Sequence, residues 1–509
     1  MSTNTPRTQL SINKINESHK ILRVALISRI LLISLIILWR SLLSPYDTSA
    51  ILNPNCLSSD SYTSSELPIW PKIGSAIEGS IVWDGVYFIR IAQCGYEYEQ
   101  TYAFFPLLPI FIYILSRTVF APLVPIIGYR AVLGLSGYFI NNVAFLLSAV
   151  YFYRLSVIIL KDGKTAFRAS MLFCFNPASI FYSSIYTESL YSLFSLGGIY
   201  HLLSGGSTIA VLLFALSGAA RSNGVLNAGY ICFQAIHRAY DAIVQKKRIG
   251  LAVMTLIDGA LRSLCIFAPF VTFQAYGYHN LCRGLVSDEM RPWCKARVPF
   301  LYDFLQGHYW GVGFFKYFQL KQLPNFLLAS PILSLALCSI AHYVKSRPEI
   351  VISLGFRASH KEKNLAAILY PSGVKGRLND IQVSANFSSE VLKENPTLKQ
   401  RKKMGKEQTL SSSLDTIPSE NDEVVPAKSD YASISVLPFV LHLAFMSATA
   451  FFVMHVQVAT RFLSSSPPLY WFSSYLMASC GRCAYVIWAY SAAYILLGSL
   501  LFSNFYPFT

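Results

Sequence analysis

Residues 21–43 read Ile21-Leu-Arg-Val-Ala-Leu-Ile-Ser-Arg-Ile-Leu-Leu-Ile-Ser-Leu-Ile-Ile-Leu-Trp-Arg-Ser-Leu-Leu43, an apolar run interrupted by charge only at Arg23, Arg29 and Arg40. A bilayer's hydrocarbon core takes about 20 helical residues, so this run is long enough to cross it. A cleavable leader would have a shorter apolar core and a small-residue cleavage site; neither is evident, so the reading is a retained first helix. Lys14, Lys20, Arg23 and Arg29 put its N-terminal end on the cytosolic side. The polar residues 1–20 before it are read as a disordered cytosolic tail.

Working outward, the rest of the chain has the same character. Of 509 residues, 53% are hydrophobic and 13% charged, about half the charge of an average soluble domain. The class is therefore an all-α polytopic membrane protein. The net charge of +16 does not point to nucleic acid, because Lys and Arg cluster in short runs between apolar segments, where they act as topological signals. Further apolar segments lie at about 102–120, 127–153, 166–185, 187–204, 208–236, 250–273, 326–344, 433–454 and 484–502. Polar residues within them (Asn141, Asn142, Asn176, Glu188) leave eight to ten crossings open, with a re-entrant pair near 166–204 in the smaller count.

Basic runs at 245–248 and 345–347 mark cytosolic loops. Alternation then gives lumenal loops at 44–101, 274–325 and 455–483, and a short cytosolic C-terminal tail. The organisation is a transmembrane catalytic module at 21–355, a disordered cytosolic insert at 356–431, and C-terminal transmembrane segments at 432–509. The insert is rich in Ser, Lys and Glu, and its Asn386-Phe-Ser sequon stays unglycosylated if the insert never enters the lumen. Ten irregularly spaced cysteines exclude a dense disulfide scaffold and a zinc ribbon. Cys282 and Cys294 are the expected disulfide in an oxidising compartment.

The chemistry-bearing stretch is 80–109, where Asp84 stands between Trp83 and Gly85 and leads into aromatic and apolar sequence. Two readings stand side by side: a turn or helix-cap residue, or a general base, for which a carboxyl partly withdrawn from water is suited. On the same face the topology gathers Arg90, Tyr96, Lys316, Lys321, Gln457 and Arg461. Glu188, Arg221 and Asn223 are set among apolar neighbours and must be paired or line a cavity. Arg221 is either a partner for Glu188 or a cation for an anionic headgroup. Asp84 has no acidic residue two positions away, so no metal is expected, and nothing in the sequence calls for a cofactor. The chain has no phosphate-binding P-loop, zinc-protease or serine-hydrolase motif.

The blocks Trp83-Asp84-Gly85 to Phe104-Phe105-Pro106, Phe175-Asn176-Pro177-Ala178, Thr187-Glu188-Ser189, Arg221-Ser222-Asn223-Gly224, Tyr309 to Phe314, Lys321 to Ala329, Met454 to Val458 with Thr460-Arg461-Phe462, and Asn504 to Pro507 resemble the GPI mannosyltransferase 2 (PIG-V) family, in family order over nearly the whole chain. Two departures are visible: the long polar insert, and Gly85-Val86-Tyr87 where an acidic residue and a His commonly follow the Asp.

The resemblance implies an endoplasmic reticulum enzyme of the multispanning, lipid-donor (GT-C type) glycosyltransferase architecture. It would add the second, α1,6-linked mannose to a GPI precursor from dolichyl phosphate mannose, with Asp84 as the base. Arg90, Tyr96, Glu188, Arg221, Asn223, Lys321, Gln457 and Arg461 would then contact donor or acceptor. The implied partners are the dolichyl phosphate mannose donor, the mannosyl-glucosaminyl-phosphatidylinositol acceptor, membrane lipids and a small membrane subunit. The competing classes are a membrane lipid or solute transporter, with Glu188 and Arg221 on the substrate path, and a noncatalytic subunit that tolerates loss of Asp84.

Overall fold

The computed structural model describes residues 6–46, 56–57, 68–283, 291–370, 430–506 and 508, with side chains from residue 17 onward. Among the described residues the regular structure is helical throughout, in the order given by the apolar runs. Among the described residues six helices are long and apolar enough to cross a membrane: 17–42, 129–160, 249–282, 320–346, 434–452 and 481–503. A seventh candidate, Leu107–Arg117 with Ala121–Ile127, is bent by 68° at its break. The chain is a multi-pass, all-α membrane protein.

The first helix runs Pro6–Leu42, so the expected disordered tail is helical from residue 6. Extending a helix from an existing one adds a hydrogen bond per residue without a new nucleus. Its buried positions Ile21, Ala25, Ser28, Arg29, Leu32, Leu35 and Ile36 recur every three or four residues, while Leu26, Ile27, Ile30, Leu31, Ile37 and Leu38 face outward. That is a helix with one protein-facing stripe and one lipid-facing side. The buried Arg29 explains one interruption in the run. Its guanidinium donates to the carbonyls of Cys174 (3.2 Å) and Ser179 (3.0 Å) and lies 3.9 Å from the Phe145 ring centre. The carbonyls it meets lie at a break in the chain, where helical partners are missing.

That break divides the expected 166–185 segment. Helix Gly163–Cys174 stops before Asn176-Pro177, and a short helix, Ser179–Ser183, follows. Proline lacks the amide a continuing helix needs. The 208–236 segment divides likewise into Ser207–Ala220 and Ala228–Val244, with a tight 3-10 turn at Ser222–Asn227.

Three expected loops are corrected. Within 44–101, Pro71–Gly79 and Asp84–Cys94 are helices. Helix Ile249–Cys282 reaches well into the expected 274–325 loop, which also holds helix Leu301–Tyr309. The expected 455–483 loop contains helix Pro467–Ser479, buried from Pro467 to Ser474. Its serines and prolines disguise it, yet Trp471 donates to Ser156 Oγ at 2.8 Å inside the bundle. This added helix reverses the last pass, so the chain end returns to the Asp84 end, where the Tyr46 amide donates to the Asn504 carbonyl (2.9 Å).

The insert is corrected at its start. Ala366 to Leu369 are buried, Gln234 donates to the Ile368 carbonyl (2.7 Å), and Lys363 pairs with buried Asp241 at 3.4 Å. This short apolar run docks on helix Ala228–Val244. Residues 371–429, with Asn386, lie outside the described residues.

Cys282 and Cys294 form the expected disulfide, and a second, unforeseen one joins Cys56 to Cys94. Glu97 comes close enough to these two sulfurs for a metal trio, but both thiols are consumed by the bond. Removing Cys56–Cys94 with paired serines is expected to cost about 3 kcal/mol of stability, measured as a fall in thermal midpoint in detergent; an unchanged midpoint would show that the bond does not hold this end together.

Candidate active site

The site lies where several chain breaks converge at one end of the bundle. Asp84 is the first residue of helix Asp84–Cys94, and Trp83 before it takes a positive φ of 53°. For a bulky L-residue that conformation is strained and persists only where the surroundings hold it. Here the Trp83 indole N–H donates to the Phe502 carbonyl (3.1 Å) and its ring packs on Phe505 (5.7 Å). The terminal Asn504-Phe-Tyr block thus helps to set the Asp84 backbone.

Glu188 is likewise the first residue of its helix, Glu188–Leu203, a position where the helix dipole favours an acid. Arg221 ends helix Ser207–Ala220 in an extended conformation, where a cation is favoured. Arg461 comes from the short helix Ala459–Leu463.

These four side chains form an alternating chain of charge. Arg221 Nη1 lies 2.7 Å from Glu188 Oε1. Arg461 Nη1 lies 3.9 Å from the same Oε1 and 3.1 Å from Asp84 Oδ2. Glu188 is almost wholly buried, at 2% side-chain exposure, while Asp84 keeps 35%. The buried carboxylate is therefore the better neutralised, and the open one faces a space that a substrate can reach.

Aromatic rings back the cluster: the Arg461 guanidinium lies 5.4 Å from the Phe181 ring centre and 5.3 Å from that of Tyr186. The Tyr186 hydroxyl accepts the Asp84 backbone N–H at 3.2 Å. Burial first, and the Asp84 charge second, hold this phenol well above the usual tyrosine range, so it stays neutral. Nothing in the sequence around Tyr186 marked it out. Its role comes from the break after Ser183 that brings it under Asp84.

Several buried polar atoms on these residues and on the turns that carry Arg221 and lead to Arg461 have no partner: Glu188 Oε2, both amide atoms of Asn223, Gln457 Oε1 and Arg461 Nε. Unpaired buried polar groups are costly, and a cluster of them is what a polyhydroxylated or phosphorylated ligand would satisfy. The Asn223 turn is held by close backbone contact. A Cβ at Gly224 would fall 2.2 Å from the Ser217 carbonyl. Gly224→Ala is expected to lower stability by about 3 kcal/mol or more, read as folded-protein abundance; wild-type abundance would show that the turn can relax.

The structure brings together Asp84, Glu188, Arg221 and Arg461. It does not bring Arg90 or Tyr96 to them. Arg90 is buried and bound to Glu97, its Nε donating at 2.8 Å. Tyr96 donates to the Phe104 carbonyl (2.8 Å) and lines a separate cavity of about 890 Å³ with Pro109, Tyr113 and Phe273. Both residues sit on the far part of the Asp84 helix or just beyond it, where they hold the fold. Lys321 is exposed at the start of helix Leu323–Ser346.

A polytopic helical bundle with a paired, accessible carboxylate at one end is consistent with a membrane glycosyltransferase. The family model described as "Mannosyltransferase (PIG-V)" matches residues 17–509, and the chain belongs to this family. It is 27% identical over 479 residues to the human protein named GPI alpha-1,6-mannosyltransferase 2, covering 90% of this chain and 84% of that one. It is 26% identical over 530 residues to a Drosophila melanogaster GPI mannosyltransferase 2, covering 97% and 100%. A Cryptococcus neoformans GPI mannosyltransferase 2 is 32% identical over 289 residues, 55% of this chain and 67% of that one. No solved structure matches the chain.

Proposed function

We propose that the chain transfers the second mannose, α1,6-linked, from dolichyl phosphate mannose to the GPI anchor precursor at the endoplasmic reticulum membrane. The observation that carries this reading is the Asp84 carboxylate, held by Arg461 beside Glu188 and open to solvent at one end of the bundle. Two disulfides lie at that same end of the chain fold, which supports its placement in the oxidising lumen.

The acceptor's primary hydroxyl gives its proton to Asp84 as its oxygen attacks the anomeric carbon. The bond from that carbon to the phosphate oxygen breaks, and the electron pair leaves with the dolichyl phosphate. A β-linked donor then gives an α-linked product in a single displacement that needs one base. Negative charge grows on the departing phosphate, and the guanidinium of Arg461, partly exposed beside Asp84, is the cation proposed to meet it. Asn223 and Gln457 are the amides proposed to bond sugar hydroxyls, while Arg221 keeps the buried Glu188 neutralised.

The test is reconstitution: purified full-length protein in vesicles, dolichyl phosphate mannose, and a mannosyl-glucosaminyl-phosphatidylinositol acceptor. The expected product carries one added mannose, released by an α1,6-specific mannosidase. Absence of transfer from folded protein, or a β-linked product, would overturn the reading.

A further inference from the structure

Arg29 is a buried cation that the proposed chemistry does not use. It lies halfway along the membrane-crossing helix 17–42, is 1% exposed, and among the described residues no carboxylate pairs with it. A charge at that depth is expensive, and one that is kept calls for a role.

Every N–H of its guanidinium is taken. Nη1 donates to the Ser179 carbonyl and the Ser183 hydroxyl, both at 3.0 Å. Nη2 donates to the Cys174 carbonyl (3.2 Å) and the Ser179 hydroxyl (3.3 Å), and Nε to the Ser28 hydroxyl (3.3 Å). All but the Nε bond go to one place, the break after Cys174 and the short helix Ser179–Ser183 that follows it. The grip is continued by Asn142: Ser183 Oγ donates to Asn142 Oδ1 (3.1 Å), and Asn142 Nδ2 donates back to the Ser183 carbonyl (3.2 Å). A helix of 5 residues is too short to hold itself, because its nucleus costs more than its few hydrogen bonds return. Its position is set by what grips it.

The same short helix reaches Asp84, Glu188 and Arg461. Phe181 lies 5.4 Å from the Arg461 guanidinium, and the Tyr182 hydroxyl bonds Ser464 Oγ (2.9 Å) and Ser465 Oγ (2.8 Å), just past the helix that carries Arg461. The Tyr182 carbonyl accepts from Ser189 Oγ (2.7 Å) in the first turn of the Glu188 helix. Beyond Ser183 the chain turns directly to Tyr186, whose hydroxyl accepts the Asp84 amide.

We propose that Arg29 is a positioning residue for mannosyl transfer: it touches no substrate, and it acts through helix Ser179–Ser183 to hold Tyr186, Glu188 and Arg461 in register with Asp84. This rests on the reading that transfer runs at the Asp84–Arg461 pair. A guanidinium suits the task because its planar fork binds several carbonyls and hydroxyls at once in fixed directions, whereas a lysine offers its donors from a single point.

The test compares Arg29→Lys with the Ser179→Ala, Ser183→Ala double variant, which keeps the cation and withdraws two hydroxyls it binds. Each full-length protein is reconstituted in vesicles and assayed per folded protein, with kcat and KM measured for dolichyl phosphate mannose and for the acceptor. Arg29→Lys is expected to lower kcat about 10–100-fold, up to the scale of a misplacement near 1 Å, and the serine variant to lower it less. KM for both substrates should change little, since every group that meets substrate is still present and only alignment is lost. Tyr182→Phe cuts the link from the same helix to Ser464 and Ser465 and should also lower kcat. Combined with Arg29→Lys, the two losses should fall short of multiplying, because both run through one element.

An unchanged kcat in Arg29→Lys, with abundance alone reduced, would make Arg29 a structural residue and overturn the proposal; losses that multiply in full would do the same. If Arg29→Lys does not accumulate as folded protein, the serine variant and Tyr182→Phe decide: unsubstituted kcat in both overturns the proposal, and a lowered kcat in both supports it. Absence of transfer by the unsubstituted protein overturns the function reading itself, whereas transfer indifferent to Arg29 overturns only the positioning, so the two failures are distinguishable.

Discussion

Asp84→Asn is expected to reduce mannosyl transfer to background while leaving folded, membrane-inserted protein. The amide keeps the shape of the side chain and can still accept a hydrogen bond from Arg461, which also has Glu188 within 3.9 Å. Little stability should therefore be lost, because Asp84 is the most exposed of the three carboxylate and guanidinium groups joined through Arg461. What disappears is the proposed proton acceptor. General-base assistance contributes about 10²–10⁴-fold, which is the size of the loss expected. Asp84→Glu keeps the charge but moves it outward by about one methylene, and misplacement near 1 Å can cost about 100-fold. Transfer assays normalised to folded protein decide the point. Near-normal turnover by Asp84→Asn would remove Asp84 as the base and leave Glu188 as the next carboxylate to examine.

The sequence made the class legible because membrane helices follow from length and apolarity, as in residues 21–43. Polar residues also pointed to a re-entrant break near 166–204, and the chain does break at Asn176-Pro177, whereas the break at Arg221-Ser-Asn-Gly divides a stretch, 208–236, that reads as one apolar segment. Helix Pro467–Ser479 escaped because its serines and prolines read as loop, although Ser473 and Ser474 are buried, with Ser474 bonding the Thr165 carbonyl. The site's residue types were legible, but their pairing was not. Asp84 and Arg461 are 377 positions apart, and only the fold decides which guanidinium meets which carboxylate. Arg90 illustrates the converse: it lies close to Asp84 in sequence, yet two helical turns carry it to Glu97 instead. Tyr186 and the Cys56–Cys94 bond were missed for the same reason, since neither has a local pattern to announce it.

Arg461 should show the second large effect, and its variants separate two roles that the geometry combines. Through Nη1 it neutralises Asp84 and approaches Glu188, while its buried Nε has no partner. Arg461→Ala removes the counter-ion of the proposed base and the donor proposed for the departing phosphate, and is expected to lower kcat by about 100-fold or more, the scale of losing one charge-stabilising donor in the transition state. Arg461→Lys keeps one positive charge but not the planar fork, so it can meet Asp84 without also presenting a donor to phosphate. Its kcat should recover in part, while its KM for dolichyl phosphate mannose stays raised. A KM equal to that of the unsubstituted protein in both variants would take Arg461 off the phosphate and leave it a positioning residue for Asp84. Arg221 gives the contrast. Its 2.7 Å bond to Glu188 makes it the main partner of an almost wholly buried carboxylate, so Arg221→Ala should act first on abundance. Glu188→Ala added to it removes the stranded charge and should restore part of that abundance, though not transfer. Failure of the double variant to recover any protein, or a raised donor KM in Arg221→Ala at normal abundance, would move Arg221 from support of Glu188 to contact with the donor.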